Sequence, residues 1–284
     1  MGTALKSVWH GKQAIVQRAW RKARKYFAVL HVSIANNLAY LSEVFFRALL
    51  LVVLVFILSQ LWKTTFGLRG VKTLSGFSIA DMIWYLIIAE SIAMSVPALT
   101  RRIDLEVRSG QIAYLLGRPC NYVLYNFAHY LGERLVRFVM NLLVGIVLAL
   151  ILVGPITFTL WGILTLPLTV FLAVCIDFVF YFGIGLLAFW TEETQSFVLI
   201  FSRLTLVLGG VLAPFEIFPQ PLRSIAQALP FSAILYGPAR TLVRFELDRF
   251  AWLLVQQALT FAGGGVLLLA LYMIAIHRVN INGG

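Results

Sequence analysis

The chain has 284 residues, of which 61% are hydrophobic and only 12% are charged, and its mean hydropathy is +0.90. A soluble domain of this length typically has about a quarter of its residues charged. This deficit excludes a water-soluble globular protein and predicts that most of the surface faces a lipid bilayer. The net charge of +11 does not indicate nucleic-acid binding, because the sequence has no soluble domain with interleaved basic and aromatic residues to carry it.

The amino-terminal segment is basic and has the pattern of an interfacial helix. Seven Lys and Arg residues precede the first acid, Glu43, and apolar side chains recur among them at roughly helical spacing. A basic stretch directly before an apolar span is what the positive-inside rule expects. We therefore predict a retained cytoplasmic amphipathic region over residues 1–42, rather than a cleaved signal peptide or an organellar transit peptide.

Six apolar segments follow and predict six transmembrane helices. They lie at residues 44–62, 81–100, 134–154, 160–190, 195–213 and 250–277. The stretch from Phe138 to Ile176 has no charge and is too long for one span of about 20 residues, so it is divided at Gly154-Pro155. Pro97 is expected to kink the second span.

The distribution of basic residues predicts the orientation of these spans. Six spans place both termini on the same side of the membrane. With the amino terminus inside, the inner segments carry 14 Lys and Arg residues and the outer ones carry 7. The positive-inside rule therefore predicts one transmembrane domain over residues 1–284 with both termini in the cytoplasm.

Two polar segments are long enough to contact partners. One is the inner loop, residues 101–130, and the other is the outer segment, residues 214–249. In the outer segment, Leu222, Ile225 and Leu229 have i, i+3, i+7 spacing. This spacing predicts a short amphipathic or re-entrant helix between the fifth and sixth spans.

The sequence has no recognisable catalytic arrangement. Residues 67–73 superficially resemble a phosphate-binding loop, but Val71 interrupts the required Gly-Lys pair and no strand precedes the segment. Cys120 and Cys175 lie far apart and indicate neither a disulfide framework nor a metal site. We therefore expect that the chain is not an enzyme and binds no cofactor or metal itself.

Ionisable residues within the predicted spans are costly in lipid, which favours pairing inside the bundle. Glu90, Asp177 and Arg203 are such residues, and Arg47 lies near the start of the first span. At about 1.5 Å per residue, Glu90 and Arg203 lie about 15 and 12 Å from the inner ends of their spans. The hypothesis is that Arg203 neutralises Glu90 or Asp177. The alternative is that each charge snorkels or faces water separately.

Two stretches resemble the ABC-2 family transporter proteins. Residues 106–119 are similar to the family's R-S-G-x-I-x-x-x-L-x-R-P element. Residues 209–219, with Leu-Pro-Phe at 229–231 and Tyr-Gly-Pro at 236–238, are similar to the family's segment after the fifth span. The resemblance covers essentially the whole chain.

The resemblance implies the ABC-2 (type V) exporter fold, an all-α integral membrane domain with an elbow helix before the first span. It also implies a bacterial inner-membrane location, a second permease that is a copy or a relative of this chain, and separate ATPase subunits that bind ATP and Mg. The inner loop would then be the ATPase-coupling segment, with Arg108, Gly110, Gln111, Ile112, Tyr114, Leu115, Arg118 and Pro119 as its site residues. The outer-segment residues singled out are Pro214, Phe215, Phe218 and Pro219.

An apolar face flanked by basic residues is the expected docking surface for the ATPase. Ile112, Tyr114, Leu115 and Leu116 would form the apolar face, and Arg108 and Arg118 would meet acidic ATPase residues. The alternative is that these side chains lie on the membrane interface.

Three functions follow for comparison. The first is the permease subunit of an ATP-driven exporter that moves a drug, lipid, glycolipid or peptide by alternating access. The second is a non-transporting scaffold or sensor partner of an ATPase. The third is an intramembrane lipid-modifying enzyme. Membrane lipids are partners in each case.

Overall fold

The computed structural model of the protein describes residues 23–191 and 193–282. The elements in chain order are α1 (23–39), α2 (Leu41–Arg69), β1 (Thr73–Leu74), β2 (Phe77–Ser78), α3 (Ile79–Ala93), α4 (Leu99–Arg108), α5 (Gln111–Leu116), α6 (Tyr122–Leu152), α7 (Leu160–Leu186), α8 (Gln195–Leu208), α9 (Gln220–Ala228), α10 (Phe231–Ile234), α11 (Tyr236–Val243) and α12 (Leu247–Asn282). Short 3-10 turns occupy Leu187–Phe189 and Phe215–Ile217. The predicted all-helical character is confirmed apart from one short hairpin.

Within the described residues, four helices are long and apolar enough to cross a membrane. They are Ala48–Arg69 of α2, Tyr122–Leu152, Leu160–Phe189 and Leu247–His277. These helices correspond to the first, third, fourth and sixth predicted spans. The second and fifth correspond to α3 and α8, which have 15 and 14 residues. A full crossing needs about 20 residues, so the six-span arrangement stays a prediction.

The bundle has two distinct ends, separated by about 45 Å along the 31 residues of α6. At the first, called the α5 end, α5 precedes the start of α6 and the Thr100 hydroxyl of α4 donates a hydrogen bond to Tyr181 O near the end of α7 (2.8 Å). At the other, called the hairpin end, Lys63 Nζ donates to Leu152 O (3.3 Å) and Trp84 Nε1 donates to Gly154 O (3.2 Å). The strands and α9–α11 lie toward this second end.

The second predicted span, residues 81–100, is interrupted rather than only kinked. The helix α3 ends at Ala93, and α4 begins at Leu99 after Pro97. Proline lacks an N–H donor and disfavours helical geometry in the residue before it. Carbonyls freed at the break accept hydrogen bonds from α6, Ile92 O from Arg134 Nη2 and Val96 O from Arg137 Nη1, both at 3.2 Å. The broken backbone is therefore satisfied by protein, as a buried interruption in a membrane requires.

Several other boundaries differ from the predictions. The helix α6 begins at Tyr122, 12 residues before the predicted third span, because Asn121 Oδ1 caps it by accepting from Leu124 N (3.0 Å). The helix α8 ends at Leu208 instead of continuing to 213. It stops at Gly209-Gly210, where Gly210 has a φ of +72°.

The connection between the first two predicted spans, residues 63–80, contains regular structure. The helix α2 continues to Arg69, and residues 73–78 form an antiparallel hairpin in which Thr73 pairs with Ser78 and Leu74 with Phe77. The two turn residues, Ser75 and Gly76, have φ values of 50° and 87°. Positive φ at both positions is typical of a type I′ turn, whose twist matches that of the strands it joins.

The helix α7 lies at the centre of the bundle and packs against α4, α11 and α12. Aromatic rings fill the space between it and α6. Phe178 lies 5.5 Å from Tyr130 and 5.3 Å from Phe182, and the Phe182 ring lies 5.9 Å from that of Tyr122 (centroid distances). These contacts fix α6 against α7 and so position the segments at the α5 end.

Candidate functional site

The turn between α4 and α5 creates a projecting element at the α5 end. Gly110 adopts the left-handed conformation, with a φ of +72°, which favours glycine. The helix α4 is amphipathic and buries Leu99 and Ile103 while leaving Leu105 exposed. Arg108 Nε donates to Asp104 Oδ1 at 3.1 Å. The chain therefore reverses sharply after α4 and presents α5 on the surface.

The predicted site residues on α5 differ in exposure, because one face of the helix packs against the core and the other faces outward. Ile112 is buried in the main core, whereas Tyr114 is 69% exposed. Leu115 and Leu116 are half-buried against the core. Ile112 therefore does not belong to an exposed docking face, because the six-residue helix turns it inward. The guanidinium of Arg118 lies 4.8 Å from the centroid of the Tyr114 ring, a cation–π distance.

The exposed part of this element is small and cationic. We call it the α5 surface, and its exposed members are Arg108, Gly110, Gln111, Tyr114, Arg118 and Pro119. These six come from the predicted set of eight, while Leu115 contributes an edge. An exposed aromatic ring beside a guanidinium is the type of residue pair that often anchors protein interfaces.

The helix α1 braces the loop that follows α5. Lys25 Nζ donates to Pro119 O (2.8 Å), and the N–H of Asn121 donates to the Tyr26 hydroxyl (3.1 Å). At Gly132 of α6 the two helices approach closely, since a Cβ there would lie 2.8 Å from Leu30 O. Helix is thus present over 23–39 of the predicted region 1–42. Residues 1–22 of that region lie outside the described residues, and the role of an elbow helix stays a prediction.

A polar seam joins α4 to the first part of α6. Arg102 Nη1 lies 2.8 Å from His129 Nδ1, and Arg102 Nη2 donates to Asn126 Oδ1 (3.3 Å). The Tyr122 hydroxyl donates to the Glu106 carboxylate. A guanidinium has no lone pair to offer, so His129 Nδ1 acts as the acceptor in this contact. The seam makes α4 and the start of α6 one unit.

The central ion pair of the bundle differs from the hypothesis. Asp177 Oδ2 lies 2.6 Å from Arg134 Nη2, and both side chains are almost fully buried. Arg203 is exposed and forms no ion pair with any described residue, so its assignment as the neutralising partner is wrong. Glu90 is buried and its Oε1 has no hydrogen-bond partner among the described residues. The side chain of Arg47 lies outside what the structure describes.

Arg134 was missed because it lies at the border of the predicted third span. The signal was nonetheless present in the sequence. The charge-free stretch starts after Arg137 and ends before Asp177. A helical hairpin folded at Gly154-Pro155 brings the two ends of that stretch together, so basic residues before it can meet the acid after it.

The outer-segment residues pack the chain into the bundle. Phe215 is fully buried and stacks on Tyr236 with ring centroids 4.2 Å apart. Phe218 lies 5.2 Å from Phe215, while Pro214 and Pro219 precede the 3-10 turn and α9. The predicted short helix occurs as α9, with Leu222 half-buried, Ile225 exposed and Leu229 just past its end.

Ion pairs at the hairpin end surround Glu216. Its Oε1 accepts from the Tyr236 hydroxyl (2.8 Å), Arg240 Nε (2.8 Å) and Arg249 Nη1 (3.3 Å). Arg240 Nη2 also donates to Glu246 Oε1 (2.8 Å). Desolvation raises the pKa of Glu246, but hydrogen bonds and charges from Arg240 and Arg249 outweigh it and hold that pKa below its ordinary value.

Comparison with known protein families identifies the class of this protein. The family of ABC-2 family transporter proteins matches residues 50–283, which include the α5 surface and the outer segment. The chain belongs to this family. A comparison with curated proteins found no match.

As an ABC-2 family transporter protein, the chain is a multi-pass membrane subunit of a transporter, and membership implies ABC ATPase subunits as partners. The apolar exteriors of its four long helices fit that location. In the residues described, no group of three or more His, Cys, Asp or Glu side chains is placed to hold a metal ion.

Proposed function

We propose that this chain is the permease subunit of an ATP-driven exporter that moves an amphipathic or lipid-like substrate by alternating access. In this proposal it lies in a bacterial inner membrane, with six spans and both termini in the cytoplasm. Separate ATPase subunits bind ATP and Mg and dock on the α5 surface, and a second permease completes the pathway. The observation that carries the proposal is the exposed Tyr114–Arg118 pair on a braced element of an ABC-2 chain.

The packing around α5 supports a route by which ATPase movement reaches the membrane core. Displacement of α5 moves α4 across the short Gly110 turn. The seam of Arg102 and Glu106 carries that movement to α6. The interruption between α3 and α4 separates α4 and α6 from α3. Arg134 and Arg137 of α6 donate hydrogen bonds to the carbonyls at this interruption. The unit formed by α4 and the start of α6 can therefore move as one body at the interruption between α3 and α4. Such a rigid-body motion is suited to switching between two states.

ATP hydrolysis by the complex tests this proposal. The chain is co-expressed with candidate ATPase and permease subunits, and vanadate-sensitive hydrolysis is measured in lipid. The variant Tyr114→Ala/Arg118→Glu should lower hydrolysis at least about tenfold, as loss of an interface anchor predicts. The control Leu68→Ala/Arg69→Glu changes an exposed apolar residue and an exposed arginine at the hairpin end and should leave hydrolysis unchanged.

Two outcomes separate the proposal from its alternatives. Hydrolysis that depends on the α5 surface but does not respond to any amphipathic substrate would favour a scaffold or sensor. An equal loss in the test and control variants, with both proteins folded, would contradict coupling through α5.

A further inference from the structure

A polar cavity of about 370 Å³ lies at the hairpin end, between α9, α11 and the start of α12. Its volume is at the lower end of the range for small-molecule sites, enough for a headgroup but not for a whole lipid. The hydrogen bonds of Gln256 Nε2 to Gln227 O (3.0 Å) and Ser232 Oγ (2.6 Å) join α12 to α9 and α10 beside it. The cavity is thus built from three fixed elements rather than from a loose loop.

Two of the four charged residues that line the cavity are already neutralised. Arg240 and Arg249 line it, and both are paired with Glu216 and Glu246. A ligand anion that approached these two guanidinium groups would have to compete with carboxylates at 2.7–3.3 Å. These pairs therefore stabilise the walls and leave little charge for a ligand.

Two lining residues have no such partner. Arg223 on α9 and Asp248 on α12 form no side-chain hydrogen bond or ion pair with any residue that the structure describes, and they do not pair with each other. One wall therefore offers an unpaired cation and another an unpaired anion. This combination favours a ligand that carries both charges over one with a net charge, because each ligand group then meets an opposite charge.

An apolar track leads away from the same cavity. Trp252 lines the rim and is 67% exposed, and on the same face of α12 Val255 is 48% exposed and Leu259 68% exposed. Indole rings favour the membrane interface, where one side is apolar and the other is wet. The track is positioned to contact the acyl chains of a molecule whose headgroup fills the cavity.

We propose that this cavity binds the zwitterionic headgroup of a phospholipid-like molecule, of the phosphoethanolamine kind. Arg223 receives the phosphate, Asp248 receives the ammonium group, and Trp252 supports the start of the acyl chains. The proposal concerns binding and does not require that the lipid be transported.

Native mass spectrometry of the full chain in detergent tests the site. The probes are dioleoyl phosphatidylethanolamine and dioleoyl phosphatidylglycerol, which share the acyl chains and phosphate but differ in the ammonium. The wild-type chain should bind the ethanolamine lipid more tightly. Arg223→Gln should weaken both lipids about tenfold, as loss of a charge-assisted bond predicts. Asp248→Asn should remove the preference between the lipids without weakening the glycerol lipid.

Controls keep the result interpretable. Arg69→Gln removes an exposed arginine at the same end and should leave both affinities unchanged. If Arg223→Gln lowers the thermal unfolding midpoint, Arg223→Lys, which retains the charge, takes its place and should keep most of the binding. Equal binding of the two lipids by the wild-type chain would overturn the proposal. An equal loss of both lipids in Asp248→Asn would also overturn it.

Soluble phosphoethanolamine distinguishes the lipid from a free metabolite. If the site serves a lipid, millimolar phosphoethanolamine does not displace the bound lipid, and Trp252→Ala weakens both lipids. Displacement by the soluble compound together with no effect of Trp252→Ala would overturn the lipid assignment.

Discussion

At the residue scale, Arg134 joins three helices. Its guanidinium contacts Asp177 of α7 at 2.6 Å, the Tyr130 hydroxyl of its own helix at 2.6 Å and Ile92 O of α3 at 3.2 Å. A buried ion pair is no more stable than well-packed apolar residues of the same size, yet removing one partner leaves an uncompensated buried charge. We therefore expect the pair to specify how the helices meet more than it adds net stability.

A double-mutant cycle tests this role. Arg134→Leu and Asp177→Leu should each lower the free energy of unfolding in detergent by about 3–5 kcal/mol. The double variant should recover more than half of that loss, because no buried charge is then left alone. Arg203→Leu removes an exposed arginine and should change stability by less than about 0.5 kcal/mol. Additive effects in the double variant would contradict the pairing.

Sequence reasoning worked well for some residues and poorly for others, for identifiable physical reasons. Motif position predicted that Ile112 belongs to an exposed docking face, but Ile112 faces the core, because the direction of a side chain depends on tertiary packing. The partner of Asp177 was misjudged because the hypothesis compared depths along separate spans. It did not use the helical hairpin in which α6 and α7 are joined at Gly154-Pro155. Once α6 and α7 are treated as a hairpin, Arg134 becomes the expected partner.

At the element scale, the long apolar helices were predictable and their ends were not. The presence of α7 and α12 follows from their long, largely apolar sequences. The first 12 residues of α6 include Asn126, His129 and Glu133 among apolar and aromatic residues, so hydropathy placed the start of the span too late. The interruption after α3 depends on Pro97 and on carbonyl partners from another helix, and only the first of these is visible in the sequence.

The docking of α1 on α6 depends on Gly132. A Cβ at this position would lie 2.8 Å from Leu30 O and 2.9 Å from Ser33 Cβ, so Gly132→Ala requires α1 to move. Because α1 then docks less tightly, amide hydrogen exchange in residues 23–39 should accelerate about tenfold. This change corresponds to a loss of about 1.4 kcal/mol in the free energy of local opening. Gly263→Ala is the matched control, because a Cβ at Gly263 would meet no atom of the described residues within 4 Å. Unchanged exchange in Gly132→Ala would show that α1 is not held there.

At the scale of the whole molecule, the two candidate sites occupy opposite ends of the bundle. The α5 surface lies beside the start of α6, and the polar cavity lies beside the start of α12, near the other end. About 45 Å of helix separates these ends. Such a separation fits the proposal that the chain receives energy on one side of a membrane and meets amphipathic molecules on the other.

Photo-crosslinking from the α5 surface to an ATPase tests whether the ATPase docks there. A photoreactive phenylalanine analogue is placed at Tyr114, or at Leu68 at the hairpin end as a control, in the chain co-expressed with candidate ATPase subunits. Both side chains are well exposed, at 69% and 84%. If the ATPase docks on the α5 surface, position 114 should crosslink to it and position 68 should not. A crosslink from position 68, or none from 114 in a complex that hydrolyses ATP, would contradict it.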